Sequence, residues 1–180
     1  MKNIAYFSME FALHPQIPNF AGGLGVLATD MMKSAADLGI SLVGMSLIYH
    51  LNDDAQYAFD PSRFFKKLKN TVTVTIENRQ VKVGVWKYEI KGQQGTVPLY
   101  FLSTYLPENK RWDRDLCKNL YPLDTYTRLA QEAVLGIGGL RMLRELGYKD
   151  IEIFHMNEGH ASLLTLERLK EVGYDDEAVK

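Results

Sequence analysis

The sequence predicts an α/β fold, and three observations carry that expectation. Short apolar runs of strand length, at residues 4–8, 41–49 and 97–102, alternate with segments whose apolar residues recur at helical spacing. A period-two stretch over residues 71–76 and 81–86, folded about Glu77-Asn78, predicts an antiparallel β insert on that plan. Two glycine-containing turns, Gly22 to Gly25 and Asn157 to His160, each come after a predicted strand and lead into a predicted helix.

In chain order, residues 4–8 (IAYFS) form a short buried-strand run, and Glu10 follows its end. Pro15 and Pro18 mark a loop into Gly22-Gly23-Leu24-Gly25. From there Leu24, Leu27, Ala28, Met31, Met32, Ala35 and Leu38 recur at helical spacing, with Gly39 just past the helix end. Residues 41–49 (SLVGMSLIY) read as a second buried strand. The first fifty residues therefore make a β-loop-α-β unit, whose ligand-binding end lies at the strand C-termini. Residues 50–70 are polar at first, then basic and aromatic; the hairpin follows, and the turn at residues 92–95 (GQQG) precedes the strand at 97–102. A polar, aromatic loop over 103–121 leads to a helix over 125–146 with Leu129, Ala130, Ala133, Val134, Ile137, Leu140 and Leu143 on its inner face. Gly136, Gly138 and Gly139 lie inside it, each costing about 1 kcal/mol against alanine. Close packing on a sheet is their expected use. A strand over 150–154 precedes a last helix, with Asn157 as its N-cap and Leu163, Leu166 and Leu169 inward. The chain is expected to form a single domain over 1–180.

Composition bounds the function classes. Apolar residues are 46% and charged residues 24% of the 180, which is globular composition. The net charge of −1, with no long basic block, does not favour nucleic acid as a partner. No apolar run approaches the ~20 residues that span a bilayer, and the N-terminus lacks a signal-peptide layout. Cys117 is the only cysteine, which excludes an internal disulfide and fits a reducing, cytoplasmic location.

Two constellations carry the chemistry. A glycine-rich turn entering a helix presents unpaired backbone N–H groups and the positive end of the helix dipole. Its missing Cβ atoms admit a phosphate or a sugar oxygen close to the main chain. A tight loop whose glycines serve only backbone geometry is the alternative. At the second turn, Asn157 can cap, the dipole favours the Glu158 carboxylate, Gly159 permits close approach, and His160 can donate to a sugar hydroxyl or a phosphate. The alternative is a cap with two packed histidines. Arg128 and Glu132, at i and i+4, are an active-site pair or an ordinary helix ion pair. No metal site is expected, because His155 and His160 are five apart and no thiol cluster supports them. Gly-Lys-Ser/Thr does not follow the glycines, so this is no P-loop. Gly23-x-Gly25-x-x-Ala28 matches a loose dinucleotide fingerprint. It stands thirteen residues beyond the predicted strand, and no acid closes the second strand.

Taken together, residues 4–11 (IAYFSMEF), 21–44 (AGGLGVLATDMMKSAADLGISLVG), 128–140 (RLAQEAVLGIGGL) and 155–168 (HMNEGHASLLTLER) resemble the N-terminal part of an α-glucan (glycogen/starch/maltodextrin) phosphorylase of the short bacterial and archaeal type. The resemblance implies a GT-B fold, two Rossmann-like domains facing each other across a cleft, of which this chain would be the N-terminal one. It implies phosphorolysis of the terminal α-1,4-linked glucose by inorganic phosphate, giving glucose 1-phosphate with retention. It places Gly22, Gly23, Leu24 and Gly25 at the phosphate and glucosyl unit, and Asn157, Glu158 and His160 on the glucose side. Glu10, Arg128 and Glu132 would support them. It also implies pyridoxal 5′-phosphate, held as a Schiff base by a lysine in a C-terminal domain or partner chain outside these residues. On that basis no catalytic set is complete here. The chain alone is expected to be inactive and, with a cleft face uncovered, to self-associate, with homo-oligomers possible. Three positions depart from the family's pattern: Thr29 stands for a glycine, residues 50–56 (HLNDDAQ) replace an aromatic-and-glycine segment, and Pro122-Leu123 replace two glycines before Asp124. Competing readings are a glycogen or starch synthase N-terminal domain, a non-catalytic glucan-binding module, and a dinucleotide-dependent dehydrogenase.

Overall fold

The computed structural model describes residues 2–50 and 59–173. Most of the 50–56 segment noted above therefore lies outside the described residues. In chain order the elements are β1 (Ile4–Phe7), α1 (Gly23–Asp37), β2 (Leu42–Leu47), β3 (Lys66–Ile76), β4 (Arg79–Lys91), β5 (Thr96–Ser103), α2 (Arg111–Arg114), α3 (Thr125–Ala133), α4 (Gly139–Glu145), β6 (Ile153–Met156) and α5 (Leu164–Val172). The six strands form one sheet in the order β3-β4-β5-β2-β1-β6. β5, β2, β1 and β6 run parallel, and β3 and β4 pair antiparallel along the β5 side, prolonging the same sheet.

Period-two alternation sorts the strand residues onto the two faces. Tyr6, Leu99 and Phe101 join Phe11, Met32 and Ala36 under α1, whereas Phe7, Met45, Tyr100 and Leu102 join Val134, Leu135 and Leu140 under α3 and α4. The result is helix, sheet, helix. β1 and β2 are apolar apart from the buried Ser46, because both faces of a parallel strand are covered.

Several elements differ from expectation. The hairpin strands extend well past the alternating core, so the basic end of the basic, aromatic stretch, from Lys66 on, is strand as well. Of the helical set in α1, Ala28, Met32 and Ala35 are buried, but Leu27, Met31 and Leu38 face outward, 56%, 44% and 61% exposed. The buried face is mostly small residues, which lets α1 sit close to the sheet. The helix expected over 125–146 is interrupted by a π-helical turn at Val134–Gly138. Its wider turn changes the helical phase, and Leu129, expected inward, is 54% exposed. Within that turn a Cβ on Gly136 would stand 2.5 Å from the backbone nitrogen of Leu164, so this glycine serves the approach of the 163–164 main chain rather than of the sheet. Gly139 does pack on the sheet, against Phe7 and Met45. The last strand is Ile153–Met156, two residues later than expected at its end, and the last helix begins at Leu164 after a 3₁₀ turn at Gly159–Ala161. Leu166, expected inward, is 50% exposed. α5 is fastened instead by fork-like ion pairs, Arg141 to Glu167 (2.7 and 2.9 Å) and Arg144 to Glu171 (2.8 and 2.9 Å).

Candidate functional site

The C-terminal ends of β1 and β6 are adjacent in the sheet, with Tyr6 opposite His155 and Phe7 opposite Met156. The chain leaving β1 is turned sharply by Ser8. Its Oγ donates to the Glu10 carbonyl (2.9 Å) and accepts from the Glu10 N–H (3.2 Å) and from Asn157 Nδ2 (3.2 Å). Further on, the Asn19 side chain donates to the Leu47 carbonyl (2.6 Å) and accepts from the Tyr49 N–H, tying the loop before the glycine turn to the end of β2. These ties hold Glu10 against the glycine turn.

Glu10 is 2% exposed, so its carboxylate must find partners inside the protein. Oε2 accepts from the backbone N–H of Ala21 (2.9 Å) and of Gly22 (3.4 Å), and Oε1 accepts from the Tyr121 hydroxyl. Gly25 completes this packing, because a Cβ there would lie 2.6 Å from Phe20 Cβ and 3.0 Å from Glu10 Oε2. Gly22 and Gly23, by contrast, face open space within 4 Å. Gly22 caps α1 and has no side chain to bond its first turn, and among the described residues no side chain accepts from the N–H groups of Gly23 and half-buried Leu24, which open this 15-residue helix. The turn therefore has two parts: amides already held by Glu10, and amides free to meet a ligand.

Tyr121 joins this turn to the second constellation. Its φ of +52° is a left-handed conformation uncommon for a bulky residue, the kind of local strain that surrounding contacts must maintain. Burial, then the hydrogen bond to Glu10 and that group's charge, push the phenol well above its usual range, so it remains a hydrogen-bond donor at any physiological pH. Arg128 lies over the Tyr121 ring, Cζ 5.5 Å from the centroid, within cation–π range. The Asp124 side chain caps α3 by accepting from the Thr127 N–H (2.7 Å), which fixes the turn that carries Arg128.

Arg128 does more than make a helix ion pair. Its Nε lies 3.5 Å from Glu132 Oε1, and its Nη2 lies 3.0 Å from His160 Nε2. A guanidinium has no acceptor, so His160 Nε2 must accept and the proton of a neutral imidazole sits on Nδ1. Nδ1 is buried and has no partner among the described residues. It is thus a donor without an acceptor, in a ring 5.5 Å from that of Tyr121. Glu158, with φ +61°, is the other strained non-glycine residue here and is exposed.

Asn157 corrects the expected cap. It is 7% exposed and its amide reaches inward to Ser8, while the 3₁₀ turn after it has no side-chain cap. Register is the reason: β6 runs through Met156, so Asn157 is still bonded to β1 through its N–H to the Phe7 carbonyl. His155 stacks on Tyr6 at 4.5 Å. Of the residues singled out in the sequence, Glu10, Gly22, Gly25, Arg128, Glu132 and His160 are linked through these contacts. Tyr121, which links them, has no sequence signal other than its place before Pro122, and Ser8 has none. Thr29 is buried with its Oγ1 unpartnered among the described residues, so this departure faces the interior. Leu123, of the Pro122-Leu123 departure, is fully exposed. A cavity of about 290 Å³ lies at the opposite end of the strands, lined by Asn3, Ser41, Thr96 and Tyr148, away from this cluster. Among the described residues no three His, Cys, Asp or Glu side chains are grouped to hold a metal, and no helix is long and apolar enough to cross a membrane.

No protein-family model matches the chain. It is 36% identical over 198 residues to a glycogen phosphorylase of Mycobacterium tuberculosis, an alignment covering 96% of this chain and 22% of that protein. It is 34% identical over 185 residues to a maltodextrin phosphorylase of Thermococcus litoralis, covering 92% and 22%. An uncharacterised protein of Methanocaldococcus jannaschii is 37% identical over 186 residues, covering 97% and 35%. The chain thus spans between 22% and 35% of the length of these relatives.

Proposed function

We propose, taking as premise that this chain matches an N-terminal portion of the glycogen and maltodextrin phosphorylases, that it is the Rossmann-like N-terminal part of a GT-B α-glucan phosphorylase, with β3 and β4 as an antiparallel insert. In this reading it supplies one wall of a cleft in which orthophosphate attacks the terminal α-1,4-linked glucose and glucose 1-phosphate leaves. The observation that carries the reading is the Glu10–Tyr121–Arg128–His160 cluster, set beside an open helix N-terminus at the ends of β1 and β6. That is the strand end at which open α/β sheets bind ligands.

The residues divide by chemistry. The free amides at Gly23 and Leu24, with the α1 dipole, suit a phosphate oxygen. His160 Nδ1–H suits a sugar oxygen, and Glu158 accepts from a hydroxyl. Charge argues that this wall is incomplete, because Arg128 stands alone against Glu10, Glu132 and Glu158 in the cluster, and a phosphate dianion needs further cations. Pyridoxal 5′-phosphate, implied by the family, attaches through a lysine amine. The cluster offers carboxylate, phenol, guanidinium and imidazole, so the residues of this cluster do not form its attachment site and no step is derived through it. The substrates are then an α-1,4-glucan and phosphate, and the partner is the remaining GT-B domain, in a soluble, cytoplasmic enzyme.

The test is release of glucose 1-phosphate from maltoheptaose and orthophosphate. The purified chain alone is expected to release none, and the longer polypeptide or reconstituted complex containing it is expected to release it. Turnover by the chain alone overturns the half-cleft reading. A complete complex that transfers glucose only from a nucleotide sugar supports the synthase reading instead.

A further inference from the structure

We propose that Tyr121 is a positioning residue that acts through Glu10: by donating to Oε1 it sets the carboxylate so that Oε2 holds the Ala21 and Gly22 amides and thereby shapes the ligand side of the glycine turn. The inference deepens the reading of this site as a glucosyl- and phosphate-binding wall. Its test does not depend on turnover.

The geometry leaves Glu10 few ways to stay in place. It is buried, and no lysine, arginine or histidine among the described residues pairs with it. Its donors are two main-chain amides on one oxygen and one phenol on the other. Hydrogen bonds to a charged acceptor are about twice as strong as neutral ones, so losing one leaves a buried oxygen short of a partner. Neighbours hold the phenol in turn. Arg128 covers the ring, His160 lies against it, and the backbone at Tyr121 is kept in a left-handed conformation. Nothing else on the 103–124 segment bonds to the glycine turn, so Tyr121 alone transmits the position of the α3 entry to α1's N-terminus. Phe20 Cβ and Glu10 converge on Gly25, so a displaced carboxylate finds no room on that side.

Amide hydrogen exchange read by NMR on the full chain tests this. Tyr121→Phe keeps the ring, the Arg128 contact and the volume, and removes only the hydroxyl. Exchange at Ala21 and Gly22 is expected to accelerate about tenfold, while Val83 and Leu99 in the sheet keep their rates. In a Glu10→Ala background the same Tyr121→Phe change is expected to leave Ala21 and Gly22 unaltered, because the intermediary is gone. Tyr121→Phe exchange at Ala21 and Gly22 equal to wild type overturns the proposal. So does an acceleration of equal size in the Glu10→Ala background, since Tyr121 would then act on the turn without Glu10. If Glu10→Ala fails to fold, Glu10→Leu, which also removes both oxygens while keeping more of the volume, replaces it, and the same non-additivity is required. Absence of phosphorolysis by the complete enzyme would overturn the proposed function and leave these exchange results standing.

Discussion

Gly23 and Gly25 sit two residues apart at the start of α1, and replacing each by alanine separates backbone propensity from packing. Neither has a positive φ, so an alanine can adopt either conformation. Both substitutions add a similar helix-propensity gain of up to about 1 kcal/mol. The surroundings differ. At Gly23 a Cβ meets nothing within 4 Å. At Gly25 it would stand 2.6 Å from Phe20 Cβ and 3.1 Å from Glu10 Cβ, atoms tied to the backbone rather than the ends of flexible chains. Relief by moving the 19–20 main chain is resisted, because Asn19 is bonded to the Leu47 carbonyl and to the Tyr49 N–H. Overpacking of this kind costs about 1–3 kcal/mol. The propensity gain is common to both, so Gly25→Ala should be less stable than Gly23→Ala by about 1–3 kcal/mol. Gly23→Ala itself should be neutral or slightly stabilising. Urea unfolding of the two variants beside the wild type, with unchanged denaturant slopes, measures the difference. Two variants within about 0.5 kcal/mol of each other would show that the turn relaxes freely and that Gly25 is not placed by Glu10 and Phe20.

Other expectations follow from single groups. Long-range proton–nitrogen spectra at pH 8 should show His160 as the Nδ1–H tautomer, with Arg128→Met relaxing it to a mixture; a wild-type Nε2–H tautomer would contradict the Arg128 contact. His50, whose Nε2 lies 3.1 Å from Ser103 Oγ, is pushed by burial down to about 4. Its unfolded value is near 6.5, so stability should be fully present above about pH 6.5 and fall by on the order of 3 kcal/mol as the pH drops toward 4, the unfolded chain binding the extra proton. His50→Gln should flatten that window, and identical pH profiles for the two proteins would refute the assignment. Gly139→Ala, with a Cβ 2.6 Å from the buried Phe7 ring, should cost about 1–3 kcal/mol, read by thermal unfolding.

The sequence by itself determined the α/β class, the hairpin, and two turns that follow strands, because glycine, proline and hydrophobic period are local signals. It also marked Glu10, Arg128 and His160. Periodicity did not say which side of α1 is buried: Ala28, Met32 and Ala35 meet the sheet while Leu27 and Met31 stay outside, a choice made by how closely the helix approaches. It could not show the π-helical turn, which answers the close approach of the 163–164 main chain to Gly136. Nor could it turn Asn157 inward, because the register of β6 on β1 decides that. Tyr121 stands 111 residues from Glu10 along the chain, and only the packing of α3 beside the β1 loop brings that phenol to the carboxylate. Hydrogen bonds across such separations obey no spacing rule. They are decided when the layers close, and here that closure joins the two turns.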